Sequence, residues 1–286
     1  MTPQDDDLSD MLAQAAGFFE SGEYGKAVEV FLALEQAASA KGNLQISAIA
    51  LTNLGAAYGG RGDYRSAMSV LQQARQRHIE NGDWLGECKV TISLATALGH
   101  LDQPQQSLQT WQAALDLARR MVNPELAAIA TNGLAGATVK MGQSQEGLTI
   151  YQKLFGYYEK IGDEIKQIDT LIEMARVEID QGDTSQVEKH GQQALFLARK
   201  HNDAEKIAYC LYKLGTLYQD TGFNLEARDR LTQAVDSYRA LNMRQELGLA
   251  LNNLGIIYAH LGMYQDALNV YQEALKIAET CGSKTD

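Results

Sequence analysis

One column of small residues, recurring every 40 positions without an insertion or deletion, constrains this chain more than any other feature. Ala15, Gly55, Ala95, Ala135, Ala175, Gly215 and Gly255 occupy it. Twelve positions later stand Ala27, Ala67, Ser107, Gly147, Val187, Ala227 and Ala267, small in all but one case. A turn-forming column keeps the same phase at Gly22, Gly62, Asp102, Gly142, Gly182, Gly222 and Gly262. So does a second stop at Gly42, Gly82, Gly162, Asn202, Asn242 and Gly282, where Val122-Asn123-Pro124 is the one departure. A period of about 20 to 50 residues marks a stack of like units, each hiding its apolar face only against its neighbours.

Within a unit the apolar pattern is helical. Leu251, Leu254, Gly255 and Tyr258 fall at i, i+3, i+4 and i+7, and Ala267, Tyr271, Ala274 and Ala278 form a second stripe beyond Gly262. Two helices packed about 8 to 10 Å apart need small residues at their closest approach, which Gly255 and Ala267 supply. Asn43, Asp83, Asp163 and Asp203 each follow a stop by one residue and are predicted N-caps for the next helix. Pro104 is predicted to open a helix.

A small residue, an aromatic three later (Tyr58, Tyr218, Tyr258), then glycine, then alanine five further on resembles the tetratricopeptide repeat, most clearly in NLGAAY and NNLGIIY. The 40-residue period and the missing terminal proline are similar to the long-helix subclass of kinesin light chain, Pins-type adaptors and Rap-type peptide sensors. The resemblance implies an all-α fold: a right-handed α-solenoid of seven helical hairpins, about 14 helices. Repeats fall near 4–43, 44–83, 84–123, 124–163, 164–203, 204–243 and 244–283. No linker interrupts the phase, so residues 1–286 are expected to form a single solenoid.

Composition narrows the function. The formal charge is −11 and the pI about 5.0, with no Lys/Arg cluster, which argues against a nucleic-acid partner. No apolar run approaches the roughly 20 residues of a membrane span, and the start MTPQDDD is acidic where a signal peptide is basic. Cys88, Cys210 and Cys281 form no CxxC pair and read as free thiols of a cytoplasmic protein. His78, His100, His190, His201 and His260 make no metal-ligand spacing, and no phosphate-cradling loop or nucleophile elbow is present. His100 and His260 share a column and read as solvated groove-rim histidines. No catalytic residue, metal site or cofactor is predicted.

The resemblance also implies that first helices line a concave groove, with side chains six and three before the small residue, and one, four and five after it, pointing inward. The candidate partner-binding residues are Ile49, Asn53, Lys89, Ile92, Ile129, Asn132, Asp169, Ile172, Arg176, Tyr209, Tyr212, Asn252, Asn253 and Ile256. Asn53 and Asn253 can fork to a peptide main chain. Gly59, Gly60, Gly99 and Gly136 either open backbone to a partner or permit tight helix packing. Glu178 stands where Tyr58, Tyr218 and Tyr258 pack; it belongs either to a surface ion-pair set with Asp169, Glu173 and Arg176 or to the groove as a polar anchor. Tyr151, Phe155, Tyr157 and Tyr158 in unit four are matched in unit five by the small Gly191, as packing complementarity or as an exposed patch. The last second helix should leave Leu268, Tyr271 and Leu275 exposed for association.

These features predict a scaffold, adaptor or assembly factor that cradles a helical or extended segment of a protein or peptide partner. The alternatives are a Rap-type peptide-sensing regulator and a module that forms homo-oligomers through its last repeat.

Overall fold

Helix starts fall every 20 residues, and the turns between them explain why. A computed structural model describes residues 3–200 and 202–282. Residues 1 and 2, His201 and residues 283–286 lie outside it, as do the side chains of residues 3–6, Thr184, Thr280 and Cys281. Among the described residues every regular element is a helix, and the chain divides into two compact units, 1–150 and 151–286.

The first unit holds α1 (Pro3–Glu20), α2 (Tyr24–Ala40), α3 (Leu44–Gly60), α4 (Tyr64–Glu80), α5 (Trp84–His100), α6 (Pro104–Arg120) and α7 (Pro124–Lys140). The division falls within α8 (Ser144–Ile161). The second unit holds α9 (Glu164–Asp180), α10 (Thr184–Arg199), α11 (Ala204–Asp220), α12 (Asn224–Ala240), α13 (Arg244–His260) and α14 (Tyr264–Gly282). In each unit a helix packs on its sequence neighbours, and first helices also touch the next first helix, as α3 does α5 and α11 does α13. The fold is an all-α stack of hairpins, the α-solenoid architecture.

Each predicted cap is made. Asn43 accepts from the Ile46 N–H at 3.1 Å, Asp83 from Gly86 at 2.9 Å, Asp163 from Lys166 at 3.0 Å, and Asp203 from Glu205 and Lys206 at 3.1 Å. Asp63, Asn123 and Asp183 cap in the same way. Pro104 and Pro124 open α6 and α7. At Gly22 the backbone turns to φ 78°, and the Glu23 N–H reaches back to the Phe18 carbonyl at 2.8 Å, so the loose carbonyls at the end of α1 are satisfied within one turn. Asp102, Val122, Asn202 and Asn242 take positive φ at the equivalent non-glycine stops.

The small column does what helix crossing demands. A Cβ at Gly55 would lie 2.5 Å from Leu71, at Gly215 2.7 Å from Leu231, and at Gly255 2.5 Å from the Tyr271 ring. Ala15, Ala95, Ala135 and Ala175 are fully buried on the same column. In the second unit the core runs from Ile168 to Ile257; in the first it is several smaller clusters, one of them around Leu8, Phe31 and Leu54. Tyr151 and Tyr158 are buried, so the aromatic residues of α8 serve packing. Gly191, however, makes room for Leu214 and Tyr218 of α11 rather than for those rings. Burial holds both described thiols protonated: Cys88 is pushed up, and Cys210 is pushed up to about 12.

Candidate interaction surface

Because the first helices repeat with period 40, residues six, three and two before the small residue, and one after it, recur from helix to helix and together form a row within each unit. In the first unit the row carries half-buried Ile49, Asn53 and Ile92 and exposed Lys89, Ile129 and Asn132. In the second it carries half-buried Asp169, Arg176, Tyr209, Tyr212, Asn253 and Ile256 and exposed Asn252. One predicted member does not reach the surface. Ile172 is 3% exposed and belongs to the apolar core against which Tyr209 and Tyr212 pack, so it offers a partner no surface.

The second unit's row is stitched together by polar bonds between successive first helices. Tyr209 donates its hydroxyl to Asp169, and burial together with that carboxylate pushes the phenol well above its ordinary range. Arg176 donates to Asp220 at 2.8 Å and lies 3.7 Å from Glu173, while Asn253 donates to the Tyr212 hydroxyl at 3.3 Å. Asn53, Asn132 and Asn252, by contrast, make no side-chain hydrogen bond among the described residues. Gln219 Oε1 and Asn224 Oδ1 are buried acceptors without a partner there.

Glu178 belongs neither to the surface ion-pair set nor to the groove. It is buried and hydrogen-bonded to His190 Nδ1 of α10 at 2.7 Å, with His190 itself only 8% exposed. The two positions lie 12 apart, the spacing that relates Tyr58 to Val70 and Tyr258 to Val270, so a polar pair replaces an apolar one. That shared register was the signal available in the sequence. His78, also buried, is held between Thr52 at 2.9 Å and Asp83 at 2.8 Å. His100 is exposed, as predicted for the rim, but its ring stacks on Tyr64 with centroids 4.1 Å apart and planes 6° off parallel.

The paired glycines divide between the two roles open to them. At Gly60 a Cβ would lie 2.7 Å from the Tyr24 ring, so that glycine permits packing, while at Gly59 nothing lies within 4 Å. A Cβ at Gly99 would lie 3.5 Å from Ser107 Oγ, an ordinary contact. At the far end, Leu268 and Leu275 are 49% and 59% exposed, whereas Tyr271 is half-buried over Gly255. A cavity of about 580 Å³ opens between α13 and α14, lined by Leu249, Asn252, Tyr271, Leu275 and Ile277 among others. Among the described residues no helix is long and apolar enough to cross a membrane, and no group of three His, Cys, Asp or Glu could hold a metal ion.

Stacked hairpins with a row of first-helix side chains define a helical-repeat scaffold. Tetratricopeptide-repeat models match residues 47–80 and 207–280, so the chain carries tetratricopeptide repeats in both stretches. A model described as anaphase-promoting complex subunit 5 matches residues 141–221. No curated protein matches the chain in sequence. Among solved structures, the apo form of RapI is 12% identical with a TM-score of 0.63, covering 97% of this chain and 99% of that one. The Rap conjugation gene regulator of plasmid pLS20, in complex with its Phr peptide, is 16% identical with a TM-score of 0.57, covering 98% and 76%. Kinesin light chain TPR-like repeats of Podosopora anserina are 16% identical with a TM-score of 0.60, covering 69% and 97%. At these identities the likeness is one of fold.

Proposed function

We propose that the first helices bind a segment of a partner protein, and that the chain is an adaptor or assembly scaffold. The observation that carries this is that each unit presents amides without a side-chain hydrogen bond on its first helices, Asn53 and Asn132 with Ile49, Ile92 and Ile129 in the first unit and Asn252 with Ile256 in the second. An amide offers a donor and an acceptor to a partner's main chain, and the isoleucines supply apolar contact. The unbroken 40-residue phase favours one continuous solenoid, and the buried free thiols Cys88 and Cys210 suit a reducing, cytoplasmic compartment. Changing Asn53, Asn132 and Asn252 together to Ala should reduce capture of the partner by the tagged full chain at least about tenfold, with circular dichroism unchanged. Undiminished capture would refute the groove.

Peptide sensing is the alternative, favoured by the likeness over nearly the whole chain to a Rap regulator solved with a Phr peptide. Self-association is supported by the apolar slot between α13 and α14. One repeat earlier the equivalent residues Ala208, Leu231, Ala234 and Val235 are at most 3% exposed beneath α13. The matching outer face of α1 carries exposed Asp7, Asp10 and Gln14 where α13 has Leu247, Ala250 and Leu254. A head-to-tail contact would bury those carboxylates, so a dimer through α14 of each copy is the form to test by light scattering against concentration.

A further inference from the structure

Four residues after each small residue, the first helices carry Phe19, Gly59, Gly99, Val139, Ile179, Gln219 and Ala259. In the first hairpin Phe19 packs against the core built from α1, α2 and α3, and it meets the edge of Tyr24 with centroids 5.4 Å apart at 66°. Forty residues on, Tyr64 repeats Tyr24, and His100 stands where Gly60 lies beneath Tyr24. Gly59 stands where Phe19 does, and a Cβ on it would meet nothing within 4 Å. The outcome is a cavity of about 270 Å³ between α3, α4 and α5, lined by Gly59, Tyr64, Leu71, Ile92, Thr96 and His100 among others. The position that carries a ring in the first hairpin thus opens onto a cavity in the second.

We infer that this pocket receives one aromatic side chain of the partner segment, seated where Phe19 sits one repeat earlier. An apolar cavity of about 150 Å³ suffices for benzene, so the volume here admits a phenyl, phenol or indole group. Tyr64, held by its stack on His100, presents a fixed aromatic wall, and edge-to-face contact with it is the geometry Phe19 already uses on Tyr24. The two aliphatic hydroxyls of the lining give up their protons within α5, Ser93 to the Lys89 carbonyl at 3.2 Å and Thr96 to the Ile92 carbonyl at 3.0 Å. Their oxygens are left as acceptors, which suits the O–H of a tyrosine or the N–H of a tryptophan. Glycine inside a helix is less stable than alanine, and at Gly59 no packing contact requires it.

The inference rests on the groove reading for the source of the ring, and it is tested without the partner. N-acetyl-L-phenylalaninamide and N-acetyl-L-leucinamide are titrated into the isotope-labelled full chain by NMR. Saturable shifts at Gly59, Tyr64, Thr96 and His100 are expected with the phenylalanine probe, with at least about tenfold weaker response to leucine. Gly59→Phe, which supplies the ring from the chain itself, should abolish them while circular dichroism is unchanged. Should that variant misfold, Gly59→Val, with the side chain α7 carries at Val139, gives the same readout. Absence of saturation, equal response to both probes, or shifts that persist in the filled variant would overturn the pocket. If the probe fails while the asparagine variant still loses its partner, the groove stands and this site alone falls.

Discussion

The same substitution made twice on one helix should have opposite effects. Gly55→Ala and Gly59→Ala both add a methyl to α3, and each gains up to about 1 kcal/mol from alanine's higher helix propensity. At Gly55 the new Cβ would stand 2.5 Å from Cγ and Cδ2 of Leu71, a side chain 1% exposed that would have to shift to admit it. Overpacking of this kind costs about 1 to 3 kcal/mol, so the net change is neutral to about 2 kcal/mol destabilising. At Gly59 the methyl meets open space, and the gain stands at about 0.5 to 1 kcal/mol. Both of the chain's tryptophans, Trp84 and Trp111, lie in the first unit, so their fluorescence during urea unfolding reports on the unit that carries both changes. The midpoint should fall or stay for Gly55→Ala and rise for Gly59→Ala, at an unchanged denaturant slope. Midpoints that move together in one direction would refute the assignment of one glycine to packing and the other to an open pocket.

Two further outcomes follow from polar groups. Removing one partner of the Glu178–His190 pair by His190→Val strands a buried carboxylate and should cost about 3 to 5 kcal/mol, whereas Glu178→Tyr with His190→Val restores the pair found at Tyr58 and Val70 and should recover most of it; additive losses in this double-mutant cycle would sink the idea. The Gly86 N–H, and after it the His78 bond, hold Asp83 below the usual carboxylate range although partial burial pushes it up. A depressed carboxylate contributes stability above its unfolded pKa of about 4 and loses it as pH falls through the folded value, so wild type should exceed Asp83→Asn near neutrality and converge with it as the pH falls below about 4. Parallel stability curves across that range would count against it.

Much of the backbone was legible because one register repeats. The stops at Gly22 and Asn202, the caps at Asn43 and Asp203, and the crossing at Gly255 all depend on residues a few positions apart, where local backbone chemistry decides the outcome. Side chains that depend on a neighbouring helix were harder to read. Ile172 shares a column with exposed Asn132 and Asn252, yet it is buried because core residues of the second unit, with Tyr209 and Tyr212, surround it. Glu178 shares a helix with Arg176 and Glu173 but finds its partner on α10. Each helix taken alone offers an ion-pair set, and only the second helix's register reveals the histidine.

Gly59 and Gly60 show where the physical limit lies. Successive helical residues point about 100° apart, so two adjacent glycines face different neighbours. Gly60 meets the ring of Tyr24 from the preceding repeat, and Gly59 meets the space between its own repeat and the next. Composition cannot separate them, since the difference belongs to which residue arrives from 40 positions away. The same holds along the whole column: Phe19 fills its own slot and Gly59 vacates the next. A repeat protein acquires a specific surface through such departures from its period, because identical repeats would offer identical grooves. The positions most worth substituting are therefore those where the 40-residue phase is kept by the backbone and broken by the side chain.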